Sequence, residues 1–167
     1  MKVKTLALLS LFTGLALIMS YIEALMPIPL PVPGIKVGFP NIIILFILYR
    51  FGTKCAVAVS LVRVLLVSLL FGSALGLAYS LAGAVLSLAV MIILKKTNKF
   101  SPMGISICGA IAHNIGQIAV AIVILEEFKI ALYLPILLIS GAITGAIIGI
   151  LSIILLKAPI FKKQPHI

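Results

Sequence analysis

Aspartate is absent from this chain of 167 residues, and its only carboxylate side chains belong to Glu23, Glu126 and Glu127. Enzymes that hold Mg²⁺ and a diphosphate between paired Asp-rich motifs are excluded by that shortage, because the oxygen ligands do not exist. A GxxxxGK loop followed by Ser or Thr is also missing, so ATP cannot be used by that route. No HExxH, His-rich or GxSxG arrangement appears either, and the chain is not expected to be an enzyme. The two cysteines, Cys55 and Cys108, match no metal-ligand spacing. They read as small packing residues in a reducing compartment, and no metal or bound cofactor is expected. Charge itself is scarce, at 10% of residues against 63% hydrophobic. So few charged groups cannot make a water-facing exterior, which implies a multi-pass protein of the cell membrane embedded in the lipid bilayer. No polar segment is long enough to form a second domain, so residues 1–167 read as a single transmembrane domain. No internal repeat is visible, and an inverted-repeat secondary transporter is not supported.

What is present is a succession of apolar runs with short connections. They predict an all-α, six-helix membrane bundle with approximate spans 5–26, 35–49, 55–71, 76–94, 102–125 and 130–156. The second span is short for a full crossing and reads as a short or broken helix, a geometry tolerated where irregular backbone lines a polar cavity. Lys2 and Lys4 before the first run resemble the start of a signal peptide. The run continues to about residue 22 without a clean small-x-small cleavage site, so it is read as a retained helix. Net charge is +10 and unevenly placed. Lys2, Lys4, Arg50, Lys54, Lys95, Lys96, Lys99, Lys157, Lys162 and Lys163 fall on one side; Lys36, Lys129, Glu126 and Glu127 fall on the other. The positive-inside rule then puts both termini in the cytoplasm. Bases that flank spans make no continuous patch, so no nucleic-acid partner is expected.

The first outer connection is the most unusual stretch. Pro27, Pro29, Pro31 and Pro33 alternate, fixing φ and removing donors, and so predict an extended strap after the first helix. Gly34, Lys36, Gly38 and Asn41 follow within eight residues. Glycines permit turns and close approach, while Lys36 and Asn41 supply donors; the stretch reads as a lid over a binding site or as an ordinary long loop.

Two polar features lie inside apolar spans. Arg63, nine residues beyond Lys54, falls about 13 Å into a hydrocarbon core about 30 Å thick. An arginine at that depth is costly against lipid and is placed inward. It serves either as a donor fork for a carboxylate, phosphate or carbonyl, or as an anchor on helix carbonyls or on Glu23. Glu23 is estimated from helix rise to differ from it in depth by more than one turn. His113, Asn114 and Gln117 form the second feature. His113 and Gln117 share a face at i and i+4, Asn114 lies about 100° round, and such a group needs internal partners or a ligand. Tyr79 is positioned to reach the same outer cavity, although interface tyrosines are common. Small-residue faces predict close helix contacts: Ser10 with Gly14, the series Gly72, Gly76, Ser80 and Ala84, and the doubled GxxxG of Gly141, Gly145 and Gly149. The Ser10 pair suits packing inside the bundle or docking of another subunit.

At Gly34-Ile-Lys36-Val-Gly38-Phe-Pro-Asn41, Ser60-Leu-Val-Arg63, Tyr79-Ser-Leu-Ala-Gly83 and Gly109-Ala-Ile-Ala-His113-Asn114-Ile-Gly-Gln117, the sequence resembles the Gx transporter family. That family is also labelled heptaprenyl diphosphate synthase component I. It is similar to the substrate-capturing S components of energy-coupling-factor transporters. The resemblance covers nearly the whole chain. It implies a six-helix bundle that takes a cofactor-like solute from outside and works with an ATP-driven module, with the first outer loop gating the site and the first helix docking. The first helix departs from the small-Ala pattern of S components, carrying Ser10-x-x-x-Gly14 instead. Lys36, Asn41, Arg63, Tyr79, His113, Asn114 and Gln117 are the expected substrate contacts, and the excess of cations on the cavity side points to an anionic or carbonyl-rich small molecule. The other reading is a non-catalytic accessory subunit of a prenyl diphosphate, quinone or flavin-linked system.

Overall fold

The structure is a computed structural model that describes residues 3–25, 38–71 and 73–158. The proline strap with Lys36, the cations Lys2, Lys162 and Lys163, and Gly72 lie outside the described residues.

Six α-helices and one short 3₁₀ segment account for nearly all of the described chain: α1 (Val3–Leu25), α2 (Asn41–Arg50), α3 (Thr53–Phe71), α4 (Ala74–Thr97), α5 (Pro102–Leu125), the 3₁₀ turn Phe128–Tyr133 and α6 (Leu134–Lys157). Local chemistry sets several of the ends. Ser73 and Ser101 accept from the backbone N–H of Gly76 and Gly104, capping α4 and α5, and Pro102 follows where its missing N–H is harmless. Asn98 closes α4 in the left-handed conformation that asparagine tolerates. With the 3₁₀ turn counted into the last, five helices are long and apolar enough to cross a membrane. This is a membrane-type helical protein.

Helix α2 is the exception in length and the centre in packing. Ile44, Leu45, Phe46, Ile47 and Leu48 are each at most 1% exposed, so every face of this helix is covered. A helix apolar all round is stable only when surrounded. Here α1, α3 and α6 surround it, with Leu88 and Met91 of α4 and Ile105 of α5 in the same core. Phe12 of α1 stacks at a tilt on Phe46, ring centroids 5.0 Å apart. At 1.5 Å per residue, α2 is about 15 Å long, half a hydrocarbon core. The expected span 35–49 is therefore corrected at its start, because helix begins only at Asn41. Gly38, at φ +94°, breaks the helical path, and Pro40 disfavours helical backbone at Phe39. At the other end Lys95 donates to the carbonyl of Leu48 and lies 5.0 Å from the Tyr49 ring centroid, satisfying a carbonyl that the helix leaves open.

The later helices are joined backbone to backbone. A methyl group on Gly145 would come within 2.7 Å of Ile107 Cα, and one on Gly149 within 2.8 Å of Met103 Cα, so the GxxxG series of α6 is spent on α5. Gly116 of α5 meets Ala82 of α4 as closely, at 2.7 Å from its carbonyl oxygen. On α4 the predicted small face shifts: Ser80 and Ala84 are buried, but Gly76 meets only the Ser73 hydroxyl, and the close helix contact falls at Gly83. By contrast, a methyl on Gly14 would meet nothing within 4 Å. Ser10 and Gly14 instead border an open groove of about 440 Å³ between α1 and α3.

Candidate functional site

The polar side chains of the apolar helices converge on the entry to α2. Ser20 and Glu23 of α1 lie one turn apart on its inward face, where Ser20 donates to the Ala16 carbonyl at 2.8 Å. Arg63 of α3 is 6% exposed and donates from Nη1 to the Ser20 hydroxyl oxygen at 3.2 Å. Its Nε has no hydrogen-bond partner among the described residues. Glu23 Oε1 in turn accepts the backbone N–H of Gly38 at 2.5 Å. Arg63 thus reaches α1 at Ser20, one helical turn from Glu23.

Gly38 links this pair to the imidazole. Its missing side chain is what makes room, since a methyl there would stand 2.9 Å from Asn41 Nδ2 and 3.7 Å from His113 Cδ2. On its other side His113 rests on Gly83 of α4, where a methyl would come within 2.8 Å of the ring atoms Cε1 and Nδ1. Two glycines from separate elements therefore form a slot for one buried imidazole. Asn41, on the first turn of α2, is buried beside it, and its backbone N–H donates to the Gly38 carbonyl at 2.9 Å.

Of the residues expected to make the site, Asn41 and His113 lie beside Gly38, and Arg63 is linked to the same region through Ser20 on the α1 turn that carries Glu23. Gln117 is fully buried one helical turn from His113 on the same face of α5. Asn114 turns away: Nδ2 donates to the Leu137 carbonyl of α6 at 2.6 Å and lies over Gly141, tying α5 to α6. Tyr79 is buried in a separate apolar cluster with Ile118, Ala121, Ile130 and Leu137. Lys36 lies outside the described residues. Sequence reasoning underrated Glu23, Ser20 and Gly83. The usable signal was that Glu23 is the one carboxylate inside an apolar run of the sequence, while Arg63 of another run needs an internal partner. Among the described residues no three His, Cys, Asp or Glu side chains come together as a metal-binding set.

Chemically, the arrangement gathers a carboxylate bonded to the Gly38 amide, a carboxamide and an imidazole beside Gly38, and a guanidinium on the neighbouring Ser20, inside an apolar shell. Donors so placed recognise carboxylate, phosphate or carbonyl oxygens. The family model described as heptaprenyl diphosphate synthase component I matches residues 12–155. The chain belongs to this family. The matched region of the component I family spans Ser20 and Glu23 through Gln117, and so contains every group of the convergence as well as all of α2 to α5. No curated protein and no solved structure matches the chain.

Proposed function

We propose that this protein captures a small, cofactor-like solute from the outer face of the cell membrane, in the manner of an energy-coupling-factor S component, and that it is not itself an enzyme. The observation that carries this reading is the convergence of Glu23, Gly38 N–H, Asn41, Arg63 and His113 from four helices at the start of a half-length helix. A buried helix that stops midway is the geometry by which transport proteins place backbone dipoles at a solute. An anionic or carbonyl-rich solute suits the donors. Orientation follows from charge: Lys4 opens α1, Arg50 and Lys54 flank the α2–α3 turn, Lys95, Lys96 and Lys99 flank the α4–α5 turn, and Lys157 closes α6. These ends belong on the cytoplasmic side, with both termini, and the entry to α2 then faces the outer half. An ATP-driven module is the partner this reading calls for.

The test is mass spectrometry of small molecules that co-purify with wild type, Arg63→Ala and His113→Ala. A molecule held by wild type and lost at least about tenfold from both variants supports capture at this site, a loss that one buried hydrogen bond to a charged group can produce. A molecule retained equally by all three proteins places the site elsewhere. The family description favours a second reading, a non-catalytic membrane subunit that accompanies a prenyl diphosphate synthase. It expects a stable protein partner on purification and no solute.

A further inference from the structure

The Glu23 carboxylate sits where a ligand's anionic group would be expected. It takes the Gly38 N–H, the donor at the entry to α2, and it stands one turn along α1 from Ser20, which accepts from the buried guanidinium of Arg63. Those are the two kinds of donor that bind a carboxylate: a backbone amide at the positive end of a helix dipole and a planar charged fork. A pair that were only structural would use the remaining guanidinium protons as well, because buried polar groups are seldom left unanswered. Here Nε of Arg63, on a side chain more than nine-tenths buried, has no partner among the described residues. The site is thus filled by an internal acid that leaves one donor over.

Resting on the capture reading above, we infer that Gly38 N–H and Arg63 form a carboxylate subsite and that Glu23 is its built-in occupant, displaced when a carboxylate-bearing ligand enters. The exchange is acid for acid, so the buried arginine is never left without a counter-charge. Because the Glu23 to Gly38 bond ties the outer end of α1 to the entry of α2, exchange also releases that tie. Ligand arrival and a change at the mouth of the site become one event. A neutral ligand could not displace Glu23 without leaving the buried Arg63 short of a counter-charge.

Removing the stand-in should therefore create a vacancy that a small carboxylate fills. The full chain is purified as wild type, Glu23→Ala and Glu23→Ala with Arg63→Gln, and thermal midpoints are compared in acetate and in chloride at equal ionic strength. Acetate should raise the midpoint of Glu23→Ala by about 3 °C or more over chloride, with little effect on wild type and none on the double variant. Should Glu23→Ala not survive purification, Glu23→Ser leaves comparable room and carries the same comparison. An equal acetate effect on wild type and on the Glu23 variant, or one that persists without Arg63, overturns the inference. The outcome is independent of the native solute. A solute found in wild type without acetate rescue sinks the subsite and leaves capture standing, while rescue without any solute does the reverse.

Discussion

Two parts of this molecule solve the problem of helix association in lipid differently. Helices α4, α5 and α6 meet through glycine, backbone against backbone, at Gly116 on Ala82 and Gly83, and at Gly145 and Gly149 on Ile107 and Met103. Helix α1 meets α3 beside an open groove, leaving Gly14 without a neighbour, and is held instead by the chain Ala16, Ser20, Arg63 and by the bond from Glu23 to Gly38. Lipid is as apolar as leucine, so association rests on close packing or on interhelical hydrogen bonds. The first kind of contact has no second arrangement, because a shifted backbone clashes at once. The second can be exchanged for another donor and acceptor set. Under the capture proposal, a solute site between the two would have one fixed wall and one that can let go.

That contrast can be broken most severely at the fixed wall. Gly145→Leu drives a side chain into Ile107 Cα and the Ser106 carbonyl, both backbone, and should cost about 3 kcal/mol or more, read as loss of monodisperse protein or a collapse of the unfolding midpoint. Next comes the exchangeable wall. Arg63→Ala and Glu23→Ala should each destabilise by about 2–4 kcal/mol, since each strands a buried partner. The double variant should lose at least about 1 kcal/mol less than the sum in an unfolding cycle; strict additivity would show that the two do not act as a pair. Asn114→Ala separates the walls. It gives up the bond to Leu137 and should cost about 1 kcal/mol in chemical denaturation, yet leave the co-purifying solute in place; loss of that solute would return Asn114 to the site. The smallest effect belongs to Gly14→Ala, within about 0.5 kcal/mol of wild type by the same assay, because the added methyl meets open space.

Hydropathy and the placement of lysines were sufficient for the class of protein, for six helices and for most of their bounds, because the demand that an apolar span be about 20 residues long acts on each segment separately. The span 102–125 agrees with α5 to the residue, and the others fall within a few residues except at α2. There Ile35, Val37 and Phe39 carry the apolar pattern upstream between Lys36, Gly38 and Pro40. The stop at Asn41 depends on Gly38 adopting positive φ, which sequence permits but does not require. The polar residues were visible for the same reason as the spans: each is expensive in lipid and so stands out singly. Their partners were not visible. Asn114 and His113 are neighbours in sequence, yet one serves the α5–α6 seam and the other the slot between Gly38 and Gly83, because 100° of helical rotation sends adjacent side chains to different helices. The bond from Arg63 to Ser20 likewise needed the tilt and register of α1 against α3, set by contacts spread over both helices. Sequence alone therefore determined which residues must be buried and satisfied. Only the tertiary structure decided which satisfy one another, since that depends on distances between helices that no single segment encodes.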